Sequence, residues 1–366
     1  MNKPTALILD VDTGIDDSLA LLYACASPEA ELVAVTCVAG NVPLDAVVSN
    51  TLAVLALAGR EDVPVHAGAA GPLVKALVTT EETHGPRGLG HAELPGSATG
   101  AAEVPAATAI VDLARARPGE VRLITLGPLT NLAQALAREP RLPDLLAGWT
   151  MMGGAFGVPG NTTPTSEWNV HVDPDALKAC LSAWAETRAR NPSPTPRLPV
   201  AMGLDVTERA RILPEHVAAL ARRAGASAAD AAALSAENSL MRPRGSVAGN
   251  PILRLIVDAL RFYFEFHAAN DGFYGAFIHD PFVVAATLDP DLVRTRPLAV
   301  DIELGAGPAH AMTVADWRGA WGAAPNLDVA IEGDATTFLD RLVSRLGDLA
   351  EARARGTSAS GATAPG

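Results

Sequence analysis

The stretch LILDVDTGIDDSLALLYA, residues 7–24, sets four aspartates (Asp10, Asp12, Asp16 and Asp17) within eight positions, between two apolar runs. Residues 5–11 read as a buried strand, and residues 16–27 carry helical spacing up to Pro28. Gly14 permits the sharp turn between them. The chain therefore opens on a strand–turn–helix unit, and the pattern repeats. ELVAVTCVAG is a second strand-like run, DAVVSNTLAVLALAG a helix with a Gly stop, and VPVHAG a short strand. Residues 105–117 read as a helix, EVRLITLG as a strand, PLTNLAQALAR as a helix with Pro at its start, and GWTMMGGA as a further strand. Strands alternating with helices predict an α/β domain with a mostly parallel, Rossmann-like central sheet flanked by helices. Ligands of such sheets bind at the carboxyl ends of the strands. Here those ends carry the aspartates, Gly40-Asn41, Gly127-Pro128 and Gly153-Gly154.

A chain of 366 residues admits one large α/β domain or two smaller ones, and 49% hydrophobic content supplies a substantial core. The formal net charge of -13 repels nucleic-acid backbones and excludes them as expected partners. No apolar run is long enough to cross a bilayer. The N-terminus, MNKPTALILD, enters a strand without a signal-peptide core or cleavage site, so the expected compartment is the cytoplasm. Cys25, Cys37 and Cys180 lie in apolar surroundings at no metal-ligand spacing and read as small core residues. TRARNPSPTPRLP (187–199) is a Pro-rich loop or insertion, and EARARGTSASGATAPG (351–366) is a low-complexity tail expected to be disordered. The Ala-rich run 214–238 and residues 252–266 read as helices.

The aspartates admit several chemistries. Asp10 and Asp12 point the same way off an extended backbone, and Asp16 and Asp17 meet the positive end of a helix dipole. Asp16 alone could serve as the N-cap, but capping needs one carboxylate rather than four. Hard oxygen ligands on a Gly-permitted turn suit Ca²⁺ or Mg²⁺, and the ion would offset their repulsion. An EF-hand fails: counted from Asp10, the twelfth position is Leu21 and the glycine falls fifth. LILDVDTG also resembles the DxDxT signature of haloacid dehalogenase-type phosphatases, with Asp10 as nucleophile. That family needs a lysine beside the phosphate, and Lys3, Lys75 and Lys178 stand on no such motif.

Three further segments carry polar groups. In NTTPTSEWNVHVDPDA, Asn161, Glu167 and Asn169 form a hydroxyl-binding set of amides and a carboxylate, and an extended backbone would project Glu167 and Asn169 to one side. Alone, the stretch reads as well as an Asn-rich loop satisfying its own backbone. In GAFIHDPFVVAATL, Asp280 offers a distant fifth carboxylate to a cation, and His279 beside it a proton donor, although a His-Asp pair at a helix entrance is more often a cap. In ETHGPRGLGHAELP the glycines imply a loop, a mobile lid or a wall presenting His84.

Together these segments resemble the nucleoside hydrolase family of inosine-uridine preferring hydrolases and relatives. DVDTGIDDSLAL, VAGN, THGPRGLG, TLGPLTNLA, MMGGAFGVPGNTTPTSEWNVHVDP and HDP follow in the family's order over roughly residues 5–345, and order and spacing are far more specific than any single motif. The resemblance implies one catalytic domain over 1–350, with the Pro-rich insertion near 187–199 and the tail over 351–366. Arg87 and Trp168 (where the family usually has Phe) depart from the pattern and bear on substrate range more than on reaction type.

The resemblance implies a Ca²⁺ held by Asp12, Asp17, Asp280 and a main-chain carbonyl matching Leu126. Asp12 would take the proton of the attacking water, with Asp10 as support. Asp16, Asn41, Asn161, Glu167, Asn169 and the main chain of Met152 would bind ribose. His279 would face the nucleobase as leaving-group acid, and His84 would line the base pocket. The expected enzyme hydrolyses the N-glycosidic bond of a ribonucleoside by single displacement, through a transition state with oxocarbenium character. It would serve purine and pyrimidine salvage as a homo-oligomer, a dimer or tetramer. Two alternatives are the phosphatase using Asp10 and a non-catalytic nucleoside-binding protein on the same scaffold. Base choice stays open, with Tyr263, His267 and Tyr274 of RFYFEFHAANDGFYGAF as candidate pocket residues and most of its Phe side chains read as core.

Overall fold

The protein is described by a computed structural model covering residues 3–190, 197–228, 230–231 and 248–360. The first six strands are β1 (Thr5–Val11), β2 (Ala30–Cys37), β3 (Val65–Ala67), β4 (Val121–Thr125), β5 (Gly148–Met152) and β6 (Val200–Met202). Then come β7 (Arg211–Ile212), β8 (Ala276–Phe277), β9 (Val293–Leu298), β10 (Val300–Ile302), β11 (Thr313–Ala315) and β12 (Leu327–Gly333). Eight of them form one sheet in the order β3-β2-β1-β4-β5-β6-β12-β9, parallel except for the edge strand β9. The other four make two antiparallel pairs, β7 with β8 and β10 with β11.

The sequence of β1 explains its central place. TALILDV is buried along nearly its whole length, as a strand covered on both faces requires. Its side chains divide by period two: Leu7, Leu9 and Val11 enter one core cluster, Ala6 and Ile8 the other. The first face is covered by the helices Ile15–Cys25, Pro251–Asn270 and Asp280–Leu288, the second by Ala106–Ala116, Thr130–Arg138 and Pro174–Arg190. Strand order reverses at β1, which has β2 and β3 on one side and β4, β5 and β6 on the other. The crevice beyond this reversal is where doubly wound sheets bind ligands. Asp12 follows β1 there, and Leu126 follows β4.

Several expected boundaries move. The helix after β4 is Thr130–Arg138, so Pro128 precedes it rather than opening it. The expected helix at 252–266 runs Pro251–Asn270, because Asn250 caps it by accepting the N–H groups of Ile252 (3.0 Å) and Leu253 (3.2 Å). Of the Ala-rich run, Pro214–Arg223 is a helix, while 229 and 232–238 lie outside the described residues. Of the Pro-rich stretch, 187–190 finish the helix Pro174–Arg190, and 191–196 lie outside the described residues. The terminal helix Ala335–Ser360 takes in 351–360, which composition assigns to a disordered tail, and 361–366 lie outside the described residues. EARAR is rich in good helix formers, and Glu351 and Arg355 pair one turn apart. No helix among the described residues is long and apolar enough to cross a membrane.

Candidate active site

All four aspartates of the first turn are buried. Asp17, and not Asp16 as the sequence suggests, does the capping, because it stands three residues after the N-cap Gly14: its carboxylate accepts the N–H groups of Gly14 (2.9 Å) and Asp12 (3.2 Å) and the side-chain amide of Asn41 (3.2 Å). Asp10 accepts from Thr36 Oγ1 (2.5 Å) and Asn131 Nδ2 (2.8 Å) through Oδ1, while its Oδ2 is buried without a partner. Asp12 Oδ2 accepts the Asn41 N–H (2.9 Å), and its Oδ1 is also buried without a partner. Asp12 fits only because its neighbours lack side chains. A Cβ on Gly40 would stand 2.1 Å from Asp12 Oδ2, and one on Gly127 would stand 2.8 Å from Oδ1.

Burial dominates the acidity of this cluster. It pushes Asp10 up to about 7, against the pull of the Asn131 and Thr36 hydrogen bonds. Burial, then the Asp17 charge, pushes Asp16 up to about 8 and Asp12 well above the usual carboxylate range. Asp280 is likewise raised by burial, then by Asp16, Asp17 and Asp12. Carboxyl oxygens of Asp16, Asp17 and Asp280 lie within 4.8 Å of one another. This many buried carboxylates ionise together only beside a cation. The donors are all hard oxygens, and Asp12 Oδ1 is left over beside them, so the residues fit Ca²⁺ or Mg²⁺.

The second limb comes from the loop after β5. Glu167 and Asn169 do not alternate along an extended strand. Glu167 is the N-cap of the short helix Trp168–Val172, and its carboxylate takes the N–H groups of Asn169 (2.8 Å), Val170 (3.1 Å) and Gly154 (3.0 Å). Asn169, in the first turn, donates its amide to the carbonyls of Leu126 (2.6 Å) and Met152 (3.3 Å). Asn161 Oδ1 accepts the Trp168 N–H (3.0 Å). The polar set is therefore tied to the ends of β4 and β5, next to the aspartates.

A third limb is a wall of rings. His84, in the short helix Glu81–His84, is buried, and its Nδ1 accepts the Ile15 N–H (3.2 Å), so the ring's proton sits on Nε2. Burial, then His267, pushes His84 down to about 3. His279 precedes the helix Asp280–Leu288, held by the β7–β8 pair and the Ile278 N–H to Ala210 carbonyl bond (2.9 Å). Its Nδ1 lies 2.8 Å from Thr207 Oγ1, which itself donates to the Gly203 carbonyl (3.1 Å). That network puts the His279 proton on Nδ1, and burial, then His267 and His84, pushes this ring too down to about 3. Tyr263 stands between His84 and His267, with ring centres 5.5 and 4.7 Å away.

These limbs enclose a cleft of about 570 Å³, the size of a small-ligand pocket. Its wall includes Asp16, Asn41, His84, Leu126, Met152, Asn161, Glu167, Asn169, His279 and Asp280, which the sequence singles out, whereas Asp10, Asp12 and Asp17 are buried and off the wall. Of the three pocket candidates in the aromatic helix region, Tyr263 and His267 line the cleft, while Tyr274 packs on Phe264. Phe266 and Phe277, read from sequence as core, also line it. Sequence reasoning passed over Asn131, which donates to Asp10 and to the Cys37 carbonyl (2.9 Å) while accepting the Ala69 N–H (2.9 Å). Its only signal was its place in TLGPLTNLA. No lysine reaches the cleft: Lys3 pairs with Glu120, Lys75 bonds the His171 carbonyl, and Lys178 pairs with Asp301. The phosphatase alternative therefore lacks its phosphate-binding cation.

Comparison with known proteins agrees with this geometry. The family model described as inosine-uridine preferring nucleoside hydrolase matches residues 7–340. A pyrimidine-specific ribonucleoside hydrolase, RihA, of Enterobacter sp. (strain 638) is 34% identical over 342 residues, 93% of this chain and 97% of that protein. Among solved structures, a purine-preferring ribonucleoside hydrolase from Gardnerella vaginalis superposes with a TM-score of 0.80 at 28% identity, covering 95% of this chain and 99% of that one. An inosine-guanosine nucleoside hydrolase superposes with a TM-score of 0.78 at 26% identity, covering 94% and 98%.

Proposed function

The chain belongs to the inosine-uridine preferring nucleoside hydrolase family, and from that premise we propose a Ca²⁺-dependent enzyme that splits ribonucleosides into ribose and free base for salvage. The observation that carries the reading is Asp12: a buried carboxylate just past β1 at the sheet's switch point, behind the cleft wall, with one oxygen fixed by the Asn41 N–H and the other without a partner. That free oxygen is the base that removes a proton from water as it attacks C1′. A protein that only bound nucleosides would have no use for it.

Asp12, Asp17, Asp280 and the Leu126 carbonyl would hold the ion, and Asp16, grouped with Asp17 and Asp280, would reach the ribose beside it. When bound, Ca²⁺ supplies Lewis-acid polarisation of water and the ribose diol. Glu167, Asn169, Asn161 and Asn41 grip the sugar, with the Met152 main chain beside them. Their rigidity comes from the hydrogen bonds that already hold each of them. The carboxylates of this cluster stabilise positive charge on the sugar as the C1′–N bond opens. Asp10 braces the cluster through Asn131 and Thr36. His279 would face the base as leaving-group acid, and His84 would line the base pocket.

Purified protein is incubated with inosine, uridine, cytidine and adenosine, with calcium, and ribose is measured. Ribose release from one or more of them is expected, and release from none refutes the reading. Three free thiols accord with a reducing cytoplasm, and the proposed homo-oligomer is checked by sedimentation.

A further inference from the structure

We propose that Asn50 is a positioning residue that clamps the His84 loop onto the aspartate turn and so fixes the base wall of the cleft. The proposal rests on the hydrolase reading above and deepens its account of base binding. Asn50 is buried on the helix Leu44–Ala58, off the cleft wall. Its Nδ2 donates to two carbonyls, that of Thr13 (3.1 Å) and that of Arg87 (2.7 Å). Thr13 follows Asp12 in the aspartate turn, and Arg87 stands in the glycine-rich stretch THGPRGLG. Both partners are acceptors, so only the NH₂ group of the amide serves, and its two hydrogens hold two backbones together.

Loop and turn also meet on either side of this clamp. The Ile15 N–H donates to His84 Nδ1 (3.2 Å). Gly88, at a φ of 84°, presses on the clamp itself: a Cβ there would stand 3.0 Å from Asn50 Nδ2 and 3.2 Å from the Thr13 carbonyl oxygen. The two sides differ in what else holds them. The turn is secured by Asp17, which takes the Gly14 and Asp12 N–H groups, and by Thr13 Oγ1, 2.7 Å from Thr51 Oγ1. The loop bonds to itself, Gly88 N–H to the Gly85 carbonyl (2.9 Å) and Gly90 N–H to the His84 carbonyl (2.8 Å). Its far end is taken by the helix Pro251–Asn270, where His91 Nε2 lies 2.8 Å from Glu265 Oε2. The Asn50–Arg87 bond is therefore what ties the middle of the loop to the turn.

Gly85, Gly88 and Gly90 all adopt positive φ, so the loop has unusual conformational freedom to lose. The clamp removes it in advance and makes the stretch a fixed wall rather than a lid, which spares the bound base that ordering cost. The effect falls on the base. His84 opens the loop and lines the cleft, whereas Glu167 and Asn169 are tied to the ends of β4 and β5, and the cation ligands to the turn and Asp280. Removing Asn50 frees the base wall and leaves the sugar and cation groups where they are.

The test is Asn50→Leu, which keeps the side-chain volume and removes both donors. For whichever of uridine and inosine the wild type cleaves, KM is expected to rise ~10- to 100-fold with kcat within ~3-fold, the pattern of lost binding that ground and transition states share. D-ribose, which fills the sugar half alone, is expected to bind within ~3-fold of wild type by calorimetry in calcium, and that binding shows the site is folded. Gly88→Ala pushes on the clamp from the loop side and raises KM in the same sense. Hydrogen exchange at Gly88 and Gly90 is expected to quicken at least ~10-fold in Asn50→Leu, while Asp12 and Gly14 keep their protection. Nucleoside KM near wild type, or D-ribose affinity falling as far as nucleoside KM rises, overturns the assignment and leaves the hydrolase reading intact. Wild-type protein that cleaves no nucleoside overturns the hydrolase reading, and the role of Asn50 in base binding with it.

Discussion

Asp12 owes its function to what its neighbours lack. Gly40 and Gly127 press on its two oxygens, so an added methyl has nowhere to go without moving the carboxylate. Gly40→Ala is expected to lower ribose release by ~10²-fold, the usual consequence of displacing a reacting group by about 1 Å. Circular dichroism should still report the wild-type secondary structure, and near-normal activity would show that Asp12 tolerates the shift. Asp12→Asn keeps the shape and removes the base, and turnover is expected to fall at least as far. Asn131 acts on stability instead. Asn131→Ala leaves Asp10 Oδ1 with Thr36 alone in a buried setting and is expected to cost about 1–3 kcal/mol in urea unfolding. The aspartates were legible because four like charges in one turn demand an explanation from the sequence alone. Asn131 was not, since its partners Asp10, Cys37 and Ala69 lie far from it along the chain and meet it only when β1, β2 and the helix Thr130–Arg138 assemble.

At the level of elements, the loop after β5 shows how a short helix escapes detection. Polar residues at 167 and 169 fit a two-residue alternation, yet five residues of helix carry too little periodicity to compete with it. The helix forms because one carboxylate, Glu167, satisfies the N–H groups of Asn169 and Val170 and also that of Gly154. Glu167→Ala abandons all three donors. The expected result is a lower thermal midpoint, with a loss of order 1–2 kcal/mol typical of a removed cap. It should also raise KM for nucleosides, because Asn169 loses its fixed place between the Leu126 and Met152 carbonyls. A variant with unchanged KM would mean that the Asn169 contacts alone hold the helix.

Across the whole molecule, alternating strand and helix signals were enough to infer the parallel sheet and the strand ends that carry the site. They were not enough for the far edge, where β9 pairs antiparallel with β12 and β10 with β11, because VRTRPL alternates charge with apolar residues like any exposed strand. What the fold gathers at its switch point, and no single segment contains, is a buried acidic cluster joining the first turn to Asp280. That cluster couples the stability of the entire domain to its cation. At calcium near 100 times the dissociation constant, binding to the folded state alone contributes about 2.7 kcal/mol, so chelation should lower the thermal midpoint and calcium restore it. The chelated protein should also weaken as pH rises. Asp10 near 7 and Asp16 near 8 stand above the 3.8 of an unperturbed aspartate. Between pH 4 and 8 these two groups therefore hold more protons in the folded state than in the unfolded one, and their contribution to the slope of unfolding free energy against pH is negative; His84 and His279, held down by burial, oppose it below 6.5 and leave it in force above. The stability the two aspartates contribute is complete below the unfolded value and is lost as pH climbs through the folded values. Calorimetry of chelated protein at pH 6 and pH 8 is expected to give the lower midpoint at pH 8, with the gap narrowing in calcium. A chelated protein equally stable at both would mean that the carboxylates ionise without a cation to hold them.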